Sequence, residues 1–217
     1  GAAASRRDGT ADHAVLSLMG PRSRDVLQAV TDSDVSNAAW PVGRAREIRI
    51  AGAEGWALRG TYVGEFGWEL HMPIGRAGAV YDALMTAGEP PGIANAGYRA
   101  IESLRPDKGY RAWSSDIGPD HTPFDAGLGW AAKMKQNVES LGRAALAGQA
   151  GRPLRKRLAG FTVEDPDIVL LGRETIFRDG RQVGWLTSGG YGYPAGKGIG
   201  YASVRTPGGV STEYLAY

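Results

Sequence analysis

Apolar and polar positions alternate over short segments in the first half of the chain, and this period of two predicts β-strands. The predicted strands cover residues 14–19, 46–50 and the two sides of a turn at 64–67. Apolar side chains recur at helical spacing in two further segments, and Pro21 marks the entrance of the first. The predicted helices cover residues 23–30 and 76–86. Strands and helices interleave, which predicts an α+β fold.

After residue 155, short alternating segments are separated by glycine-containing turns, which is typical of a small antiparallel barrel or sandwich. The predicted strands cover residues 158–163, 174–178, 182–186 and 199–204, and the turns lie at 179–180, 189–190 and 207–209. Earlier helices are predicted over 96–105, stopped by Pro106, and within 133–147, ending at Gly148. We therefore place a domain boundary near residues 148–157, between domains at 1–150 and 151–217.

One predicted hairpin, over residues 61–73, combines a phenol and a carboxylate. With a loop centred on its middle glycines, Tyr62 lies opposite Glu69 on a face where the glycines leave open space. A carboxylate matches the adjacent N–H donors of a 2-amino-4-oxopyrimidine edge, and a phenol adds stacking area. Tyr62 and Glu69 would frame a slot for a flat polar ring, with His71 on the same face. The alternative is an ordinary hairpin with a solvated glutamate and a core tyrosine.

Composition narrows the classes of partner and of site. The 217 residues are 42% hydrophobic and 22% charged, enough for a buried core in one large or two small domains. The net charge is +2, and we interpret the one basic run, residues 152–157, as a solvated linker; the alternative is a contact to phosphate or a polyanion. We expect no nucleic-acid partner.

The residues present disfavour thiolate, metal, membrane and phosphate-binding sites. The absence of cysteine removes thiolate sites and disulfides and fits a reducing, cytoplasmic location. His13, His71 and His121 share no metal-binding spacing, so no metal is expected. No apolar run approaches the roughly 20 residues needed to cross a bilayer, and no signal peptide begins the chain, so we expect a soluble protein without a membrane partner. The glycines of residues 189–200 lack phosphate-binding spacing and are interpreted as barrel turns.

The hairpin also reads Tyr-x-Gly-Glu-x-Gly-aromatic-Glu from Tyr62 to Glu69, and it resembles the folate-binding signature of the aminomethyltransferase family, which includes the glycine cleavage T-protein. Further blocks resemble the family, in the family's order. They are 18–25 (LMGPRSRD), 103–111 (SLRPDKGYR), 122–129 (TPFDAGLG), 142–146 (GRAAL) and 187–192 (TSGGYG). The KGYR and SGGY sequences are most similar to the C-terminal folate-binding portion of dimethylglycine and sarcosine dehydrogenases. The resemblance covers roughly residues 13–217.

The resemblance implies a fold, a cofactor and partners. The implied fold is an aminomethyltransferase-like domain, with a ferredoxin-like sheet and helices, followed by a small antiparallel β-barrel. The implied cofactor is tetrahydrofolate, held by Tyr62 and Glu69, with FAD only on a separate domain or chain. The implied partners are the folate, an N-methyl amine or its iminium product, and a flavin dehydrogenase domain or subunit.

Arg99 is expected as a third binding residue, because an arginine of the family helps to hold the folate or substrate carboxylate. Alignment on Leu104 and Arg105 puts the family's arginine at Ile101, and Arg99 lies two positions earlier, about 200° around a helix. Arg105 and Arg111 are other cations in the same part of the sequence, and a surface or ion-paired arginine is the simpler interpretation of each.

The implied chemistry is one-carbon transfer. In the dehydrogenase branch of the family, flavin oxidises an N-methyl amine to an iminium, and tetrahydrofolate N5 captures the carbon as 5,10-methylenetetrahydrofolate. The family's catalytic aspartate lies upstream of the matched blocks, so no catalytic residue is assigned. The chain also ends at residues 214–217, before the barrel's usual last strand. We therefore expect a fragment of a longer protein or a shortened homologue.

Two alternatives accompany this interpretation. One is a non-catalytic folate-binding module that has kept the pocket and lost the chemistry. The other is the group of iron–sulfur assembly relatives of the same fold. That group is disfavoured, because its Lys-Gly-Cys segment is Lys108-Gly-Tyr here.

Overall fold

The computed structural model describes residues 4–136, 139–211 and 215. The chain divides into two compact units, Gly1–Gly97 and Tyr98–Tyr217. Each unit contains one four-stranded antiparallel sheet, and helices accompany the strands in both. The predicted α+β fold is therefore confirmed. The domain boundary near residues 148–157 stays a prediction.

The first unit is a sheet with two α-helices. Its strands are β1 (His13–Met19), β2 (Ala45–Ile50), β3 (Ala53–Arg59) and β4 (Gly67–Pro73), and its helices are α1 (Ser23–Gln28) and α2 (Ala77–Gly88), the latter preceded by a 3-10 turn at Ile74–Arg76. The strand order is β1-β4-β3-β2, so the last strand of the unit lies inside the sheet. This position places the sequence from Gly67 to Pro73 between two neighbours.

One face of this sheet forms the core of the first unit. Alternate residues of β4, Trp68, Leu70 and Met72, are almost fully buried, in one cluster with Leu27 of α1 and Val80 of α2. The intervening residues of β4 are less buried, as the alternation of the sequence predicts. The sheet therefore has one buried face and one exposed face within this unit.

The second unit begins with a helix and ends with the second sheet. Its helices are α3 (Tyr98–Asp107) and α4 (Arg143–Gln149), with a 3-10 turn at Gly129–Ala132, and its strands are β5 (Lys156–Val163), β6 (Thr175–Arg178), β7 (Arg181–Gly192) and β8 (Lys197–Arg205). The strand order is β5-β8-β7-β6. Its core contains Leu170, Leu186, Ala202, Val204 and Val210.

The predicted turn at residues 189–190 is wrong, because β7 continues through both glycines to Gly192. Their lack of a side chain serves packing instead. A Cβ on Gly189 would lie 2.7 Å from the Leu170 Cβ, and one on Gly190 would lie 3.4 Å from the Glu102 carbonyl oxygen of α3. The turn to β8 comes later, where Gly196 has a φ of +65°.

Two other expectations concern ends of elements. Helix α3 does not stop before Pro106 but includes it and ends at Asp107, because proline removes only one donor of the last turn. Lys156 and Arg157 of the basic run belong to β5 rather than to a linker.

The expectation about the chain end at 214–217 lies outside the described residues, except for Leu215. In the described part of the chain, no helix has the length and apolar character needed to cross a bilayer.

Candidate functional site

The hairpin that carries Glu69 has a different register from the predicted one. Strands β3 and β4 pair with Leu58 opposite Glu69 and Trp56 opposite His71, and residues 60–66 form the connection. Tyr62 lies within this loop, 37% exposed, and not opposite Glu69. The predicted pairing of Tyr62 with Glu69 is therefore wrong, although the two strands themselves are confirmed.

Arg59 anchors the end of strand β3. Its buried guanidinium donates hydrogen bonds to the Trp40 carbonyl oxygen at 2.5 Å and to Asn37 Oδ1 at 2.7 Å. Its own carbonyl oxygen accepts a hydrogen bond from the Gly43 N–H at 2.8 Å. These bonds fix the end of β3 to residues 37–43, and its pairing with β4 ends at the same residue, with Arg59 opposite Trp68.

The exposed face of the sheet gathers Glu69 and His71 with side chains from both neighbouring strands. In one cross-strand row Glu69 lies between Ser17 and Leu58, and in the next His71 lies between Val15 and Trp56. Val15 and Trp56 are 51% and 52% exposed, so this row presents apolar surface on both sides of His71. We call these six residues the open face.

Glu69 and His71 are neighbours on this face, as the period of two predicts. Glu69 Oε2 lies 3.8 Å from His71 Nε2, and the two side chains are 36% and 40% exposed. No described residue donates a hydrogen bond to the Glu69 carboxylate within bonding distance. Its oxygens are therefore accessible to donors from a ligand.

Gly67 fixes the position of the strand that carries Glu69. A Cβ on Gly67 would lie 2.2 Å from the Leu18 carbonyl oxygen of β1, so only glycine permits this close approach. Because β4 lies in register with β1 from this point, Glu69 is placed opposite Ser17. The second glycine of the signature thus has a structural role in the site.

Trp56 is the residue of this face that the sequence interpretation overlooked. Alternation alone assigns Trp56 and Leu58 to one face of β3. It does not say which residues of β4 they meet, because that depends on the length of the loop. A short loop would place Tyr62 opposite Glu69, whereas the observed seven-residue loop, residues 60–66, places Leu58 there and Trp56 opposite His71.

The arginines named from the sequence all lie in the second unit. Arg99 is the second residue of α3 and is exposed. Arg105 is completely buried and pairs with Asp116 and Glu102, which confirms the ion-paired interpretation. Arg111 donates hydrogen bonds to the carbonyl oxygens of Ala126 and Gly109. Arg105 is thereby committed to the protein interior and is not available to a ligand.

Comparison with known proteins agrees with this architecture. The GCVT N-terminal domain matches residues 3–136, and the glycine cleavage T-protein C-terminal barrel domain matches residues 156–215. The solved structure of the glycine cleavage system aminomethyltransferase T from Bartonella henselae matches 89% of this chain and 76% of its own, with a TM-score of 0.62 at 18% identity. This last likeness shows the fold alone.

Curated relatives extend well beyond the length of this chain. Mitochondrial sarcosine dehydrogenase of Mus musculus is 45% identical over 96% of this chain but only 23% of its own length. Human mitochondrial dimethylglycine dehydrogenase is 35% identical over 88% of this chain and 22% of its own length. An aminomethyltransferase of Caldanaerobacter subterraneus is 31% identical over 88% of this chain and half of its own. The chain belongs to the glycine cleavage T-protein family, with both its N-terminal and its C-terminal barrel domain.

Proposed function

We propose that this chain is the tetrahydrofolate-binding part of a one-carbon transfer protein and that Glu69 holds the pterin. The observation that supports this proposal is the Glu69 carboxylate on the open face, which is partly exposed and has no hydrogen-bond donor among the described residues. The same face carries the exposed ring of Trp56, in the next cross-strand row opposite His71. A carboxylate is an acceptor for the adjacent N–H groups of a 2-amino-4-oxo ring edge. An exposed indole offers stacking area for a flat ring. The residues present therefore fit the group.

The roles of the individual residues follow from their chemistry. Glu69 would orient the ring edge, and Trp56 would shield one side of it from water. His71 Nε2 lies 3.8 Å from Glu69 Oε2, so the imidazole would border the bound ring edge. Tyr62 and Arg99 are proposed as further contacts, on the strength of the signature and of the family's arginine. When bound, tetrahydrofolate supplies a nucleophilic nitrogen for the one-carbon unit.

The partner reaction is proposed to be the flavin-dependent oxidation of an N-methyl amine on another domain or subunit. The similarity to sarcosine and dimethylglycine dehydrogenases supports it. This chain spans less than a quarter of those proteins, and we propose that the oxidation takes place on protein outside these 217 residues. We also propose a cytoplasmic location, because the chain has no cysteine.

Isothermal calorimetry with 5-formyltetrahydrofolate tests the binding role of Glu69. Replacing Glu69 by Ala removes a charged acceptor, so we expect a loss of about 2 kcal/mol, which is roughly a 30-fold weaker affinity. Glu89→Ala is the matched control, because Glu89 is an exposed carboxylate of the first unit that lies at the end of α2, outside the sheet. The control variant should bind within about twofold of the unchanged protein.

The outcomes distinguish binding by Glu69 from a general charge effect and from folate binding elsewhere on the protein. Equal weakening by both substitutions would mean a general charge effect and would contradict the specific role of Glu69. Unchanged folate affinity of Glu69→Ala would contradict folate binding at the open face. Trp56→Leu provides an independent check, since loss of a stacked ring costs about 0.5–1.5 kcal/mol of binding free energy.

A further inference from the structure

The basic run of residues 152–157 lines an open pocket of the second unit. The pocket has a volume of about 500 Å³, and its lining residues all belong to that unit. It lies where the run meets the end of β8 and the segment 122–125. The charged residues of its lining are Arg152, Arg155, Lys156, Arg205 and Asp125. Four cations and one described carboxylate therefore face the same space.

Two of these cations are direct cross-strand neighbours. Lys156 of β5 lies opposite Arg205 of β8, so their side chains leave the sheet on the same face. Like charges placed directly opposite each other destabilise a strand pair. Lys156 Nζ donates a hydrogen bond to the Asp120 carbonyl oxygen at 2.5 Å, which holds the ammonium group without neutralising its charge. A bound anion would relieve this repulsion.

The described residues do not neutralise the pocket. None of its four cations forms a salt bridge within the described part of the chain. Asp125 is 9% exposed, and its Oδ2 accepts hydrogen bonds from the N–H and the hydroxyl of Thr122 at 3.0 and 2.9 Å. The Arg205 guanidinium lies 5.3 Å from the centre of the Trp185 ring, a contact that leaves its positive charge in place.

The backbone of the basic run is held in position. The Leu154 carbonyl oxygen accepts a hydrogen bond from the Val210 N–H at 2.7 Å, and the next carbonyl oxygen, of Arg155, accepts one from the Thr206 N–H at 3.3 Å. Arg152 and Arg155 are exposed. Their side chains thus extend from a fixed segment, which lowers the entropic cost of binding an anion.

We propose that this pocket binds a small ligand through a phosphate group. Guanidinium groups donate paired hydrogen bonds that match phosphate oxygens, and the lysine ammonium group adds a point charge. A phosphate has three strong acceptor oxygens for several cations at once, whereas a carboxylate has two oxygens in one plane. Inorganic phosphate and a phosphate ester offer this same group. The proposal does not rest on folate binding at the open face.

Calorimetry of the full chain at constant ionic strength tests the proposal, at about pH 7.5, where a phosphate ester is largely a dianion. The probes are inorganic phosphate and glycerol 3-phosphate, and malonate is the matched dianion with carboxylates. We expect saturable binding of a phosphate probe and about fivefold or more weaker binding of malonate. The tighter phosphate probe distinguishes an ester from the free ion. No saturable binding of either probe, or equal affinity for malonate, would overturn the proposal.

Single charge removals locate the site. Arg155→Gln and Arg205→Gln should each weaken phosphate binding about tenfold, because each removes a charged hydrogen-bond donor. Arg181→Gln is the matched control, since Arg181 is an exposed arginine of the same unit outside the pocket lining. It should bind phosphate within about twofold of the unchanged protein. Equal weakening by all three substitutions would mean attraction to the overall charge and would overturn the proposal.

His121 provides a measurement on the unchanged protein. Burial lowers the pKa of His121, and Lys156 and Arg205 lower it as well, whereas two nearby aspartates raise it. A phosphate bound between these cations would counter their charge, so NMR titration should show a higher pKa of His121 with saturating phosphate. The pKa of His13, an exposed histidine of the first unit, should not change. An unchanged pKa of His121 would overturn the proposal even if an arginine variant did not fold.

Discussion

At the scale of single residues, the second unit depends on a buried carboxylate that joins distant parts of the sequence. Asp116 and Arg105 are both completely buried, with Asp116 Oδ2 2.8 Å from Arg105 Nη1. The other Asp116 oxygen accepts hydrogen bonds from the Thr187 and Ser188 hydroxyls at 2.6 Å. The family-like blocks at 103–111 and 187–192 therefore meet at Asp116. The resemblance of these two blocks to the family therefore has a structural cause, the contacts of Asp116, and is not evidence of ligand contact.

Asp116→Ala should strongly destabilise the second unit. The substitution removes the fully buried carboxylate partner of Arg105, whose ion pair with Glu102 remains, and breaking a buried pair in this way costs about 3–5 kcal/mol. Urea unfolding of the full chain, followed by circular dichroism and tryptophan fluorescence, measures the loss. Asp167→Ala, at an exposed aspartate of the same unit, should change the free energy of unfolding by no more than about 0.5 kcal/mol. A loss below about 1 kcal/mol for Asp116→Ala would contradict the role given to the pair.

At the scale of elements, glycines determine how closely strands approach. Gly67 allows β4 to approach the β1 carbonyl of Leu18, and Gly190 allows α3 to approach β7. Such glycines look the same in the sequence as those of turns. Gly78 differs from both, because it lies in the exposed first turn of α2, where a Cβ would have no heavy atom of another part of the chain within 4 Å.

Alanine substitutions at two glycines of the first unit should therefore have opposite effects. Gly67→Ala places a Cβ 2.2 Å from a backbone oxygen, and overpacking of this kind costs about 1–3 kcal/mol or more. Gly78→Ala should stabilise by about 0.5–1 kcal/mol, because alanine favours a helix more than glycine does. Thermal unfolding of the two variants in parallel measures whether each substitution lowers or raises the melting temperature. A Gly67→Ala variant as stable as the unchanged protein would contradict the close approach at Gly67, and a destabilised Gly78→Ala variant would contradict the open surroundings of Gly78.

At the scale of the whole molecule, each compact unit has its own core. Leu70 belongs to the core of the first unit and is fully buried, and Leu186 belongs to the core of the second and is 5% exposed. The two sets of buried side chains come from separate sheets. Each unit is therefore expected to have a local stability determined by its own packing.

Leu70→Ala and Leu186→Ala test this independence. Each substitution should cost about 2–5 kcal/mol through lost burial and a residual cavity. Hydrogen–deuterium exchange of peptides from the full chain should show faster exchange in residues 4–97 for the first variant. For the second variant, the faster exchange should fall in the described part of residues 98–211. Equal acceleration in both units by either substitution would indicate one cooperative structure instead of two.

Local periodicity in the sequence determined most elements of this protein and the faces of their residues, and the motif blocks indicated its family. The β1 and β2 strands, helix α1 and the placement of His71 beside Glu69 followed from it, because alternation and helix-entrance signals act over a few residues. Tertiary structure alone decided the neighbour of Glu69. That neighbour depends on the register of β3 and β4 across the loop of residues 60–66, which no local pattern contains.

Contacts between distant parts of the chain likewise decided the burial of Arg105 and the course of β7 through its glycines. An arginine is exposed by default, and the buried Asp116 carboxylate, which folding brings to it from 11 residues away, compensates its burial together with Glu102. Paired glycines suggest a turn unless a helix packs on them, as α3 does here. Sequence thus specified which side chains share a face, whereas register and burial came from long-range contacts.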